Sequence, residues 1–147
     1  MFETIINLDV PYIMMHMQGT SKDMQVNPTY NDVSSDIISF FEQKVEQLQT
    51  KGFKKIIIDP GFGFGKTIEH NYEILRKFKK FKKFNLPILA GISRKSMIYN
   101  LLNVTSEEAL NGTTVANTIC LLNGANILRV HDVKEAVECI RIYEMIR

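Results

Sequence analysis

The chain has 147 residues, 45% hydrophobic and 23% charged, with a formal net charge of +2 at pH 7. That is one domain of ordinary globular composition, and so small a charge gives no argument for nucleic acid or another polyanionic partner. No apolar run approaches the roughly 20 residues that span a bilayer, and residues 1–10 lack the basic segment and cleavage site of a signal peptide, so a cytoplasmic protein is expected.

In chain order, short apolar runs alternate with helical patterns. Strands are expected at residues 11–15 (PYIMM), 56–59 (IIID), 88–91 (ILAG) and 126–130 (NILRV), each nearly continuous in apolar residues, as in strands buried on both faces. Between the first two, Val33, Ile37, Phe40, Phe41, Val45 and Leu48 mark one helical stripe, with Gly52 as its stop. A second helix is expected over about 69–82, with Tyr72, Leu75, Phe78 and Phe81 inward, and a shorter one from around Arg94. A third begins at Thr105, where Thr105 and Glu108 suit a capping box, and stops near Gly124. The last begins at Asp132 with Glu135 at the matching position. Cys120 and Cys139 fall inside these apolar helical patterns and read as buried reduced thiols rather than a disulfide. The order is βα repeated four times, with strands spaced at the lengths of βαβ units, which implies a parallel sheet.

The polar and glycine-rich segments each follow a strand: MHMQGT (15–20), DPGFGFGK (59–66), GISRKS (91–96) and RVHD (129–132). Parallel strands point one way, so these segments converge on the carboxyl edge of the sheet, where α/β proteins build their sites. Asp59 ends a buried strand and needs donors or a cation, unless it caps its own loop as an Asx turn. The glycines of 61–65 allow close backbone approach, and Phe62 and Phe64 offer stacking faces or else pack back on the core. Ser93, Arg94, Lys95 and Ser96 form a donor-rich helix start suited to an anion or polar heterocycle, or a solvated charge pair. Arg129 and His131 share a face of an extended segment and could grip a phosphate together; alternatively Arg129 pairs with Asp59 or another acid. His16 reads as a hydrogen-bonded structural histidine. The three histidines, His16, His70 and His131, have no metal-ligand spacing.

Two other patterns compete. RKFKKFKK (76–83) has the cations and aromatics of a nucleic-acid patch, but the aromatic spacing fits a core stripe with lysines on the solvent face. The run from Gly61 to Lys66 and Thr67 lies between a strand and a helix like a phosphate-binding P-loop, yet has three residues between its glycines instead of four.

Taken together and in order, MHMQGT, DPGFGFGK, SRKSM and RVHDV resemble the second half of the dihydropteroate synthases, and the likeness runs from about Val10 to Arg147. The resemblance implies an α/β fold of the (β/α)8 TIM-barrel family, with residues 1–147 as the carboxyl-terminal half of a pterin-binding barrel domain. It implies an enzyme that condenses dihydropterin pyrophosphate with p-aminobenzoate, giving dihydropteroate and pyrophosphate in folate biosynthesis. By the family's pattern, Asp59 would accept hydrogen bonds from the pterin, Met15 would line its pocket, and Lys95 would contact it beside the p-aminobenzoate site. Gly63 and Phe64 would flank the p-aminobenzoate ring, with Ser93 and Arg94 near its carboxylate. Arg129 and His131 would hold the leaving pyrophosphate. The family's Mg2+ accompanies the pyrophosphate, with its protein ligand outside this chain. Ser21 departs from the proline that many relatives carry there.

An eight-stranded barrel takes about 250 residues, and four strands are expected here. The resemblance places Met1 in the helix before the family's fifth strand. Four βα units form a half-barrel with two raw edges, which invite pairing with another chain. A homodimer is therefore expected, completing an eight-stranded pseudo-barrel. The reading competing with the enzyme is a non-catalytic pterin- or phosphate-binding half-barrel.

Overall fold

The computed structural model describes residues 2–20, 24 and 28–147; position 21 lies outside them. Its elements are α1 (Phe2–Leu8), β1 (Tyr12–Met15), α2 (Val33–Gln49), β2 (Ile56–Asp59), α3 (Ile68–Arg76), a 3-10 helix (Phe78–Phe84), β3 (Leu89–Ala90), α4 (Ser96–Leu102), α5 (Leu110–Leu122), β4 (Ile127–Leu128) and α6 (Val133–Glu144). β1 pairs in parallel with β2, β3 pairs in parallel with β4, and a parallel bridge from Ile58 to Ile88 joins the two pairs. The four expected strands are therefore present in sequence order, the last two shorter than expected.

Asp32 caps α2, its carboxylate accepting the Ser35 amide at 2.8 Å. Val33, Ile37, Phe41, Val45 and Leu48 are buried on its inner face, each worth roughly 1.5–3 kcal/mol of transfer free energy when an aliphatic or Phe side chain leaves water. Both expected helix stops hold. The Gly52 amide donates to Gln49 and that of Phe53 to Leu48; the Gly124 amide donates to Leu121 and that of Ala125 to Cys120. These paired bonds close Schellman turns around glycines at positive φ.

Three expectations about the helices are corrected. The second helix does not continue to residue 82: α3 ends at Arg76 and a 3-10 helix takes over. With three residues per turn, Phe78, Phe81 and Phe84 fall on one face; Phe78 and Phe81 are fully buried and the intervening lysines face outward. The third helix does not begin at Thr105. Glu108 accepts from the Thr105 amide and hydroxyl at 2.9 and 3.0 Å, but α5 starts five residues later. Asp132 stands at the start of α6 without capping it, because its carboxylate is bound to Arg94.

The strands are also not uniformly buried. Met14, Ile56 and Ile58 pack under the helices, whereas Ile13 on β1 is 46% exposed and Ile127 on β4 36%. By register and alternation, Ile13, Met15, Ile57 and Asp59 share the sheet face opposite Met14 and Ile58. β1 and β4 are edges among the described residues, and their apolar residues have no neighbouring strand to cover them.

Candidate functional site

The carboxyl ends of the strands deliver the four polar segments to one place. The His16 amide donates to Asp59 O at 3.0 Å and the Arg129 amide to Ala90 O at 3.0 Å, so each segment leaves the sheet beside its neighbour. Asp59 is 1% exposed. Its Oδ1 accepts the Gly61 amide at 2.8 Å, which is the Asx-type cap. Its Oδ2 is buried with no hydrogen-bond partner, and the nearest cation, Arg129 Nη2, stands 3.9 Å away. One oxygen thus shapes the loop, and the other has no hydrogen-bond donor. Burial raises the Asp59 pKa, against the Gly61 hydrogen bond and the charges of Arg129, Lys95 and Lys66.

The glycine loop sorts its two rings. Phe62 is buried and stacks on Phe78, with centroids 6.0 Å apart and planes within 6°. Phe64 stays partly exposed, with Lys95 Nζ 4.4 Å above its centroid. Lys95 Nζ also donates to Phe62 O. Burial lowers the Lys95 pKa to about 8, Asp59 opposing the shift and Arg129 adding to it. Gly63 passes so close that a side chain there would press on the Lys95 stem. Gly61 shows the same need more sharply, since a Cβ would collide with the His16 carbonyl.

Across the sheet, Ser93 Oγ lies 3.0 Å from His131 Nδ1 and accepts the His131 amide at 3.2 Å. Because the hydroxyl accepts from one group, it can donate its proton to the imidazole, leaving Nε2 as the N–H face. The structure commits Arg94 elsewhere than to a ligand. Its guanidinium makes a bidentate pair with Asp132 at 2.9 and 2.8 Å and donates to Ser106 O and Glu107 O at 2.8 and 2.6 Å. Arg94 also adopts a positive φ of 51°, and its amide donates to Thr113 Oγ1 at 2.9 Å. Arg94 is neither a solvated charge nor a free anion donor: it ties the start of α4 to the start of α6. The Arg94 hydrogen bonds and charge hold the Asp132 pKa below the usual carboxylate range.

Met15, Asp59, Gly63, Phe64, Lys95 and Arg129 are gathered around the β1–β2 end, and Ser93 and His131 are paired beside them. Three participants carry weight that their sequence context did not reveal. Lys66 is 4% exposed and turned into the loop, donating to Gly61 O and Phe64 O at 2.9 Å; a P-loop lysine would instead face a phosphate. Asn71 Oδ1 accepts the Gly63 amide at 2.7 Å. Tyr30 donates to Gly65 O at 2.7 Å. His16 is buried, edge-on to Phe40, and burial pushes its pKa down to about 3, as befits a structural histidine. Among the described residues no three His, Cys, Asp or Glu side chains come together as metal ligands, and no helix is long and apolar enough to cross a membrane.

Comparison with known proteins sets this geometry in a family. Residues 1–131 match the family described as pterin binding enzyme. The dihydropteroate synthase of Escherichia coli K12 is 44% identical over 144 residues, covering 97% of this chain and 51% of that protein. That of Haemophilus influenzae is 38% identical, with coverages of 97% and 52%. A solved Yersinia pestis dihydropteroate synthase in a sulfonamide drug complex superposes with a TM-score of 0.95 at 42% identity, over 99% of this chain and 54% of that one. The Stenotrophomonas maltophilia enzyme with active-site-bound imidazole gives 0.95 at 35% identity, over 99% and 56%. The chain spans about half the length of the curated relatives it matches.

Proposed function

Because the chain belongs to the pterin binding enzyme family, we propose that it supplies the carboxyl-terminal half of a dihydropteroate synthase site. In the reaction, the amine of p-aminobenzoate attacks the methylene carbon of dihydropterin pyrophosphate. A C–N bond forms, the C–O bond to pyrophosphate breaks, and the amine loses a proton. The observation that carries the reading is the buried, unpartnered Asp59 Oδ2. A buried carboxylate oxygen with no hydrogen-bond donor, its nearest cation 3.9 Å away, is costly unless a ligand brings a donor, and the N–H groups of a pterin are such donors.

The other roles follow from position. Met15, on the same sheet face as Asp59, would line the pterin pocket. Lys95, between Phe62 O and the Phe64 ring, would border both substrates, and Gly63 and Phe64 would flank the p-aminobenzoate ring. Arg129 and the exposed His131 imidazole would meet the departing pyrophosphate, where negative charge grows. Ser93 serves that group through His131; Arg94 serves by fixing the loop that carries Ser93 and Lys95. The described residues offer no ligand set for Mg2+; the ion would arrive with the pyrophosphate.

The half-barrel and homodimer belong to this reading. Exposed Ile13 and Ile127 at the two sheet edges support closure by a second copy into an eight-stranded pseudo-barrel. Light scattering is expected to give twice the chain mass, and a monomer at micromolar concentration would refute closure by self-association. The test of function is pyrophosphate release from the two substrates. Release that disappears in Lys95→Ala supports the synthase reading. A folded chain that binds the pterin without release is the non-catalytic half-barrel, with turnover belonging to a longer protein.

A further inference from the structure

Lys66 sits between the ends of two strands in an arrangement that the proposed chemistry does not use. Its Nζ lies 2.9 Å from Gly61 O, 2.9 Å from Phe64 O, 3.1 Å from His16 Nδ1 and 3.4 Å from His16 O. Two of these partners open and close the glycine turn, and the other two belong to His16, the residue that follows β1. The segments are packed tightly as well as bonded, because Gly61 abuts the His16 carbonyl and Gly65 the Gln18 backbone.

We propose that Lys66 is the positioning residue of this site, its ammonium pinning the Gly61–Phe64 turn onto His16 and so setting where the Asp59 oxygen and the Phe64 ring stand. The geometry stands by itself; the consequence for a pterin ligand rests on the function proposed above. The ammonium has three protons for four acceptors. The two carbonyls at 2.9 Å take one each, and His16 receives the third. Burial and the Lys66 charge push the His16 pKa down to about 3, so the ring is neutral, and it accepts on Nδ1 in the tautomer that carries its proton on Nε2.

The charged and titratable groups facing Lys66 are few. His16 directly follows β1 and Asp59 ends β2, Lys95 approaches from the start of α4, and Tyr30 bonds the adjoining Gly65. Burial lowers the Lys66 pKa to about 7; Asp59 opposes this and Lys95 adds to it. Loss of the proton leaves two donors and a lone pair, so the bond to His16 must either be given up or reverse with the imidazole proton on Nδ1, and the hydrogen bonding between the strand ends changes with it.

The test is an NMR titration of the unliganded chain, following the Lys66 Cε and Nζ signals with the backbone amides. Lys66 is expected to titrate far below the exposed lysines, and the amides of Gly61, Phe64, Gly65 and His16 to move with the same midpoint while those of α6 stay flat. A merely space-filling lysine would not link these signals. Lys66→Met keeps the length and removes the donors. It is expected to shift the same loop amides and weaken pteroic acid binding about tenfold. Loop amides that ignore the Lys66 titration overturn the proposal, as does a folded Lys66→Met chain with unmoved loop amides and affinity within twofold. If that variant does not fold, the titration of the native chain decides alone. Failure of the native chain to bind pteroic acid would count against the proposed function, while the titration would still decide the role of Lys66.

Discussion

Phe78→Ala is expected to be among the most damaging single changes that touch no ligand. Phe78 is fully buried in the 3-10 helix, stacked on Phe62 and edge-on to Phe81 at 5.8 Å. Replacing a buried Phe by Ala costs about 3–5 kcal/mol, combining lost transfer energy with the cavity left behind. With a urea dependence of about 2 kcal/mol/M, a loss of about 4 kcal/mol lowers the unfolding midpoint by about 2 M. Lys79→Ala, one residue on and exposed, should stay within about 0.5 kcal/mol. Urea unfolding at one fixed protein concentration measures both. A double-mutant cycle with Phe62→Ala should return about 0.5–1.5 kcal/mol of coupling from the stacked pair. A Phe78→Ala loss under about 1 kcal/mol would refute the assignment of the FKKFKKF segment as a core stripe.

Further predictions concern charge. Asp59 has a pKa raised by burial, so the folded state holds its proton longer and this group's contribution falls as pH rises from 3.8 through the raised value. Asp59→Asn should therefore raise the melting temperature of the unliganded chain at pH 7, and a fall would contradict the burial argument. Lys66 works in the opposite window. Its folded pKa of about 7 lies below the ordinary 10.5, so the unfolded chain binds more protons between these values and stability should rise with pH across them. Lys66→Met should flatten that rise in melting curves taken from pH 7 to 10. Ser93→Ala removes both hydrogen bonds that orient His131; calorimetry should show weaker pyrophosphate binding with pterin affinity unchanged, and equal losses for both would contradict the division of roles.

The alternation of apolar runs and helical stripes made the four βα units legible, since burial of parallel strands leaves a strong local signal. Schellman glycines at 52 and 124 were equally plain. The 3-10 helix was missed although its period is written in the sequence: phenylalanines at 78, 81 and 84 are spaced by three, which an α-helix accommodates less well than a 3-10 turn. Thr105 misled because its pairing with Glu108 forms without a helix following at once, and Asp132 because a capping pattern is local while the partner that decided its fate is not. Arg94 reaches 38 residues along the chain to Asp132. The same limit hid Lys66, whose role depends on His16, 50 residues away across two strands. The edge strands were expected to be buried on both faces because composition reports what a strand can bury, not whether a neighbour is present to bury it.

Asp59 Oδ2, buried without a hydrogen-bond partner, is the atom proposed to take a pterin donor. Calorimetric titration of dihydropterin pyrophosphate into the chain, with Asp59→Asn as control, tests that role most directly. A hydrogen bond to a buried carboxylate is worth about 1.5–3 kcal/mol, which predicts saturable binding weakened by roughly 10- to 150-fold in Asp59→Asn. Equal affinity in the two proteins, or no binding by the folded native chain, would contradict it.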